Sequence, residues 1–99
     1  MSFFDWNAQK NRLLARERAL TFERVVLAIA EGGLLDVLEH PNQERYGGQR
    51  LFVVDVDGYA VLEPFVEDGE RVFLKTIIPS RKATKKYLAQ RRGEADADG

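Results

Sequence analysis

Apolar and polar positions alternate with two different periods along the chain, and the first third shows the helical period. Apolar residues recur at helical spacing over 22–30. Thr21 precedes this segment and can cap a helix by accepting an early backbone N–H, and Gly32-Gly33 can end it. Asn7 can cap an earlier helix over residues 8–18, which is rich in good helix formers. The pattern therefore predicts two consecutive N-terminal helices.

The rest of the chain is dominated by strand-like segments separated by turn residues. We expect strands at residues 2–6, 34–39, 50–56, 59–66 and 71–78. Asp57-Gly58 is a strong two-residue hairpin signal, whereas 40–49 and 67–70 have the polar and glycine-rich composition of a loop and a turn. Pro79 lacks the N–H that a strand ladder needs, and Ser80 can cap a last helix reaching about residue 91.

The predicted order β-α-α-β-β-β-β-α indicates an α+β domain, with a small antiparallel sheet, two N-terminal helices on one face and a C-terminal helix. The chain has 99 residues, enough for one domain, which we place at 1–92. The acidic, Ala- and Gly-containing segment 93–99 is predicted to be a disordered tail. An apolar fraction of 44% with 31% charged residues is typical of a globular protein.

Composition excludes several classes of site. The chain has no cysteine, so disulfides and thiolate metal sites are excluded, and one histidine rules out a multi-histidine metal site within one chain. No apolar run approaches the length of a membrane span, and the N-terminus lacks the features of a signal peptide. We expect a cytoplasmic protein without a cofactor, and at this point a metal site built only from carboxylates stays open.

The charge is strongly segregated along the chain. Residues 1–70 carry 7 basic and 13 acidic side chains, whereas 71–92 carry eight basic and no acidic ones. The eight basic residues are Arg71, Lys75, Arg81, Lys82, Lys85, Lys86, Arg91 and Arg92. Such a block predicts an anionic partner, either a phosphate backbone or an acidic protein.

Three motifs resemble the BrnT group of toxins, the toxin halves of bacterial type II toxin–antitoxin pairs. They are Phe4-Asp5-Trp6 followed by Lys10, then Thr21-Phe22-Glu23, and finally the run from Ile77-Ile78-Pro79-Ser80-Arg81 to Lys86. The resemblance covers about residues 3–88. It implies a RelE-like fold, ribonuclease activity against RNA, a cognate antitoxin protein as partner, and contact with DNA only through that antitoxin.

The chain departs from the family pattern at three places, one of which is Pro79-Ser80-Arg81, where the family typically has Ser-Ala-Arg. Glu17-Arg18-Ala19 stands where the family usually has Lys-His-Gly, and Thr76 stands where it usually has Arg. These departures motivate a second hypothesis, in which a non-catalytic binding module docks an acidic protein through its basic C-terminal segment.

Two basic residues are candidates for holding a scissile phosphate. Arg81, at the predicted strand-to-helix junction, has a guanidinium that can donate two parallel hydrogen bonds to phosphate oxygens, and it matches the family motif. Lys75 is predicted to lie on the last strand in phase with Arg71, Phe73 and Ile77. Each is equally interpretable as a solvated surface residue.

Other cations are candidates for binding flanking phosphates. Lys82, Lys85 and Lys86 lie at three- to four-residue spacing on the last helix, where like charges repel and so favour an anionic partner. Lys10 belongs to the first family motif. The alternative for the helix lysines is a solubilising role.

Proton transfer during RNA cleavage requires a base and an acid. Glu63, on the same side of its strand as Tyr59, is flanked by Leu62 and Pro64, so burial can raise its pKa. His40 is the only side chain whose unperturbed pKa lies near neutrality. An ordinary charged residue on an open sheet face and an incidental loop histidine are the alternatives.

Aromatic residues also have two interpretations. Tyr87 is expected to dock the last helix against the sheet, with base stacking as the alternative. Phe3, Phe4 and Trp6 are expected to be core residues rather than a nucleic-acid platform.

Overall fold

The computed structural model describes residues 2–89 and consists of a six-stranded mixed sheet with helices on both faces. In chain order the elements are β1 (Phe3–Trp6), α1 (Ala8–Arg18), α2 (Phe22–Ala30), β2 (Leu34–Glu39), β3 (Arg50–Val56), β4 (Tyr59–Asp68), β5 (Arg71–Leu74), β6 (Ile78–Pro79) and α3 (Arg81–Ala83), which continues as a π-helical turn (Thr84–Leu88). We call α3 and this turn together the last helix. The α+β class and the three helical regions are confirmed, whereas the predicted tail and the end of the last helix lie outside the described residues.

The N-terminal helices begin and end where the sequence indicates. Asn7 Oδ1 accepts a hydrogen bond from the Lys10 N–H at 2.9 Å, and Thr21 Oγ1 accepts one from the Arg24 N–H at 3.1 Å. The α2 helix ends at Ala30, and Gly32 two residues later has a φ of +92°, which a residue without a Cβ readily adopts. Within residues 2–89 no helix is long and apolar enough to span a membrane.

The sheet order is β1-β5-β4-β3-β2, with β6 also paired to β4. The β2–β3, β3–β4, β4–β5 and β4–β6 pairs are antiparallel, but β1 lies parallel to β5. The expectation of an antiparallel sheet is therefore wrong at this edge. A parallel neighbour needs a long connection, which the two helices and three strands between β1 and β5 supply.

Two hydrophobic clusters lie on opposite faces of the sheet. The larger one packs α1 and α2 against the strands and includes Phe22, Val54, Val61, Phe65 and Leu74. The smaller one packs the last helix through Ala83 and Leu88 against Val53 and Ala60. We call the two surfaces the α1/α2 face and the α3 face.

A β-bulge interrupts the predicted strand 71–78. Leu74 pairs with Phe65 and Ile78 pairs with Leu62, so the three residues at 75–77 stand opposite only two, Glu63 and Pro64. The extra residue changes the alternation of side chains. Ile77 is consequently buried in the larger cluster, whereas Lys75 is exposed. The expectation that Lys75 and Ile77 share a face is therefore wrong.

The turn residues of the hairpins have the backbone conformations that their sequence predicts. Asp57 and Gly58 both have positive φ, +53° and +87°, as a two-residue type I′ turn requires. The β4 strand runs two residues beyond the predicted end, so the next turn is shorter than expected and contains Gly69 at φ +61°.

A cationic groove between the last helix and the sheet

Hydrogen bonds near the start of the last helix cap the helix and join it to β4. Ser80 Oγ accepts from the Ala83 N–H at 3.0 Å, and the Ser80 N–H donates to Ala60 O at 3.0 Å. Thr84 Oγ1 accepts from the buried Ala60 N–H at 2.9 Å and donates to Ser80 O at 2.7 Å. These bonds determine where the helix crosses the α3 face.

Replacing Thr84 by valine is expected to destabilise the protein by about 1–3 kcal/mol, because the buried Ala60 N–H loses its acceptor while side-chain volume is retained. Urea denaturation measures the free energy of unfolding. Thr76→Val, a partly exposed position for which no side-chain hydrogen bond is seen within residues 2–89, is the matched control and should change stability little. Equal stabilities of Thr84→Val and wild type would show that this bond is not needed.

The far end of the helix is fixed by a tyrosine–aspartate pair. Tyr87 Oη donates to Asp36 Oδ2 of β2 at 2.7 Å. The Tyr87 hydroxyl, then the Val37 N–H and the charge of Lys86, lower the pKa of Asp36, and the Asp36 carboxylate raises the pKa of Tyr87. The docking role predicted for Tyr87 is confirmed. Its partner Asp36 was not predicted, since 51 residues separate the two in sequence.

A groove of about 180 Å³ lies where the last helix crosses the sheet. Its lining residues are Leu38, Val53, Leu62, Ser80, Lys82, Ala83, Lys86 and Tyr87. We call it the cationic groove. Its strand residues are apolar, whereas its helix side carries Lys82 and Lys86 one helical turn apart. The arrangement suits a ligand that combines an apolar or aromatic surface with negative charge.

Three further cations of the last third, Arg81, Lys85 and Lys75, lie on or next to the elements that form this groove. Arg81 and Lys85 are exposed on the last helix, Arg81 immediately after the groove residue Ser80. The Lys75 N–H donates to Pro64 O at 2.9 Å, and Pro64 lies two residues beyond the groove residue Leu62. Lys75 itself bonds to Pro64, whereas Ser80, the residue before Arg81, bonds to Ala60. Lys75 and Arg81 are therefore about 14 Å apart along β4.

Glu63 lies on the α1/α2 face and is fully buried, with 0% of its surface exposed. It alternates with Val61 and Phe65 of the larger cluster, and Phe52 is its partner on β3. Burial raises its pKa to about 9, although the N–H groups of Thr76 and Lys75 in the bulge oppose this shift. Within residues 2–89 neither carboxyl oxygen has a partner at hydrogen-bonding geometry.

The two expectations for Glu63 have different outcomes. The predicted upward shift of its pKa is confirmed, whereas the alternative of an ordinary charge on an open face is wrong. The core position separates the carboxyl from the cationic groove, because the two lie on opposite faces of the sheet. A neutral, buried glutamic acid is a functional-site candidate in many proteins, but here its surroundings are apolar side chains.

Neither His40 nor Lys10 lines the groove, although His40 comes two residues after the groove residue Leu38. His40 Nδ1 accepts from the Asn42 N–H at 3.1 Å, and its ring centroid lies 4.4 Å from that of Tyr46. It follows β2, three strand spacings or about 14 Å from β5 and Lys75. Lys10 belongs to α1, on the opposite face of the sheet. The structure therefore places Lys82 and Lys86 at the groove with Arg81 next to Lys82 on the same helix, whereas Glu63 and Lys10 lie on the opposite face and His40 lies beyond the end of β2.

The N-terminal aromatics divide between two environments. Phe4 and Trp6 pack against the larger cluster, and the Trp6 ring stacks on Phe22 with centroids 5.7 Å apart. The core interpretation is confirmed for these two. Phe3 is 53% exposed, so the same interpretation is wrong for it.

Arg18 occupies the position at which the resembled family usually has histidine. Its Nη1 donates to Ile77 O at 2.6 Å, which ties the end of α1 to the bulge. The arginine therefore has a structural contact near Thr76, the second departure from the family pattern. Comparison with known proteins found no matching protein family, no matching curated protein and no matching solved structure.

Proposed function

We propose that this chain binds single-stranded RNA along the cationic groove and cleaves it without a metal or cofactor, as the toxin of a bacterial type II toxin–antitoxin pair. The observation that carries the proposal is the groove itself, in which Lys82 and Lys86 border an apolar floor beside Tyr87. Bases can lie on the floor, and the lysines can hold phosphates. The resemblance to BrnT toxins supports the same direction and supplies the toxin hypothesis.

In this scheme the 2′-hydroxyl oxygen attacks the adjacent phosphorus and the P–O5′ bond breaks, while water takes the 2′-hydroxyl proton and protonates the leaving 5′-oxygen. The cations stabilise the negative charge that develops on the phosphorane. Arg81 holds the scissile phosphate at the start of the last helix, and Lys75 and Lys85 neutralise neighbouring phosphates. Neither Glu63 nor His40 lines the groove, so electrostatic stabilisation is the contribution that the described geometry supports. We therefore expect RNA binding to be strong relative to the rate of cleavage.

The test compares wild type with the Lys82→Gln/Lys86→Gln double variant. Cleavage of a single-stranded RNA is followed on gels in the presence of EDTA, and binding is measured with its 2′-O-methyl analogue, which lacks the nucleophilic hydroxyl. The double variant should bind the analogue at least about tenfold more weakly than wild type. The slope of log K against log salt should become shallower by about 1.4, because each lost phosphate contact accounts for about 0.7. An Arg12→Gln/Arg16→Gln variant, changed at exposed residues of α1, should retain both affinity and slope.

Each outcome has a distinct meaning. Cleavage by wild type that the double variant loses supports the ribonuclease. Salt-dependent binding without cleavage contradicts the ribonuclease and leaves an electrostatic RNA binder. Failure of wild type to bind or cleave RNA overturns the proposal as a whole.

A second candidate is a non-catalytic module that docks an acidic protein, the cognate antitoxin in the toxin–antitoxin setting. The observation that favours it is the apolar floor between two lysines, which also fits an amphipathic segment with carboxylates along its edge. Coexpression with the acidic protein encoded beside this chain tests it. Copurification with wild type but not with the double variant, together with no affinity for RNA, would favour this candidate.

A further inference from the structure

Phe73 is an aromatic residue on the α3 face that belongs to neither hydrophobic cluster. It lies on β5, opposite Val66 of β4 and Asp5 of β1. Its neighbours Val72 and Leu74 both join the larger cluster on the other face, so Phe73 projects from the α3 face. It is partly exposed.

Two cations flank the Phe73 ring. The guanidinium carbon of Arg71 lies 4.4 Å from the ring centroid and the Lys75 Nζ lies 5.5 Å from it. Arg71 Nε donates to Asp5 Oδ2 at 2.8 Å, a bond that holds the guanidinium and is the main cause of the lowered pKa of Asp5. Lys75 takes part in no ion pair within residues 2–89, so its charge is available to a ligand.

Phe3 adds a second aromatic side chain to the same face. It pairs with Arg71 in the parallel register and is 53% exposed on the edge strand of the sheet. Exposed aromatic rings beside cations are the usual elements of single-strand nucleic acid binding, because rings stack on bases and cations attract phosphates.

Strand β4 runs from this region to the cationic groove. Leu62, Pro64 and Val66 alternate onto the α3 face; Leu62 lines the groove, Pro64 is buried, and Val66 pairs with Phe73. The two regions are therefore about 14 Å apart along the strand. A single-stranded ligand that occupies both the groove and the ring has to span this distance.

We propose that Phe73, Phe3, Arg71 and Lys75 form a second nucleotide subsite, the Phe73 platform, which stacks a base of the RNA held in the cationic groove. This inference rests on the proposed function. Asp5 and Asp68, which face the same side as Arg71, carry more negative charge than Arg71 carries positive charge, so Lys75 supplies the phosphate contact. Stacking then contributes most of the affinity at the platform.

Binding of 2′-O-methyl oligouridylates of increasing length tests the platform. Phe73→Leu keeps an apolar side chain but removes the ring, and should weaken binding of the long oligomers by about tenfold, since stacking is worth about 1–3 kcal/mol per base. The shortest oligomers, which the groove alone can hold, should bind as they do to wild type. Phe73→Leu should leave the salt dependence unchanged, whereas Lys75→Gln should lower its slope by about 0.7.

Two control variants, each changed outside the platform, make the result interpretable. Leu27→Ala, at an exposed apolar residue of α2, and Arg12→Gln, at an exposed cation of α1, should bind all lengths as wild type does. Circular dichroism checks that each variant is folded, and Lys75→Gln tests the platform without altering an apolar residue. If both platform variants bind every length like wild type, the platform is refuted while RNA binding in the groove survives. If wild type binds no oligomer, both proposals fail.

Discussion

The Glu63→Gln variant is expected to be more stable than wild type near neutral pH, by on the order of 3 kcal/mol, and to lose this advantage in acid. Burial raises the pKa of Glu63 from 4.5 to about 9. Between these values the unfolded chain releases the proton while the folded chain keeps it, so unfolding becomes easier as pH rises. Below 4.5 both states are protonated, and the cost disappears.

The predicted pH dependence has a defined slope. Wild-type stability should fall by up to about 1.4 kcal/mol per pH unit between 4.5 and about 9 through this one group. Glutamine has nearly the same shape and cannot ionise, so its curve should lack that fall. Urea denaturation across this pH range measures both curves.

Glu17→Gln is the matched control, because Glu17 is exposed on α1. Its free energy of unfolding should differ from that of wild type by an amount that hardly changes with pH. Parallel curves for wild type and Glu63→Gln would show that the buried carboxyl has no shifted pKa, and would contradict the neutral state described for the core.

The Arg81→Ala variant should reduce the rate of RNA cleavage by about 10²–10³, the effect of removing one preorganised donor from a charged transition state. Affinity for the uncleavable analogue should fall much less, because Lys82, Lys86 and Lys75 still hold phosphates. Rates measured under single-turnover conditions separate the chemical step from binding.

Arg81→Lys refines this result. Lysine preserves the positive charge but cannot donate two parallel hydrogen bonds, so we expect partial recovery of the rate. Arg12→Ala, an equally exposed arginine on α1, serves as the control and should cleave like wild type. If Arg81→Ala cleaves at the wild-type rate, the phosphate is not held at the start of the last helix.

Local chemistry made most of the fold predictable. Helix α1 spans the predicted residues 8–18 because Asn7 caps it, and the Asp57-Gly58 turn sets the register of β3 and β4. The bulge was not predicted, since residues 71–78 are rich in strand-forming residues and contain no turn residue. Its position depends on the core, which takes both Leu74 and Ile77. The parallel placement of β1 likewise depends on packing at the sheet edge.

The candidate site was predictable where charge lies close together in sequence, as it does for Lys82 and Lys86. It was not predictable where partners come from distant elements. Asp36 resembles any polar residue of a half-buried strand, and only the docked helix brings Tyr87 to it. The sequence also suggested that Glu63 is shielded from water, but not which face shields it, because one residue of register decides the face.

The parallel pairing of β1 with β5 also bears on the order in which the protein is assembled during synthesis. Residues 3–6 leave the ribosome long before their strand partner, which comprises residues 71–74, and the Asp5–Arg71 bond joins positions 66 apart. Strand β1 therefore has to wait for β5 before it can pair. Contacts of such long sequence separation form slowly, so the aromatic segment at residues 3–6 lacks its strand partner until β5 has been made.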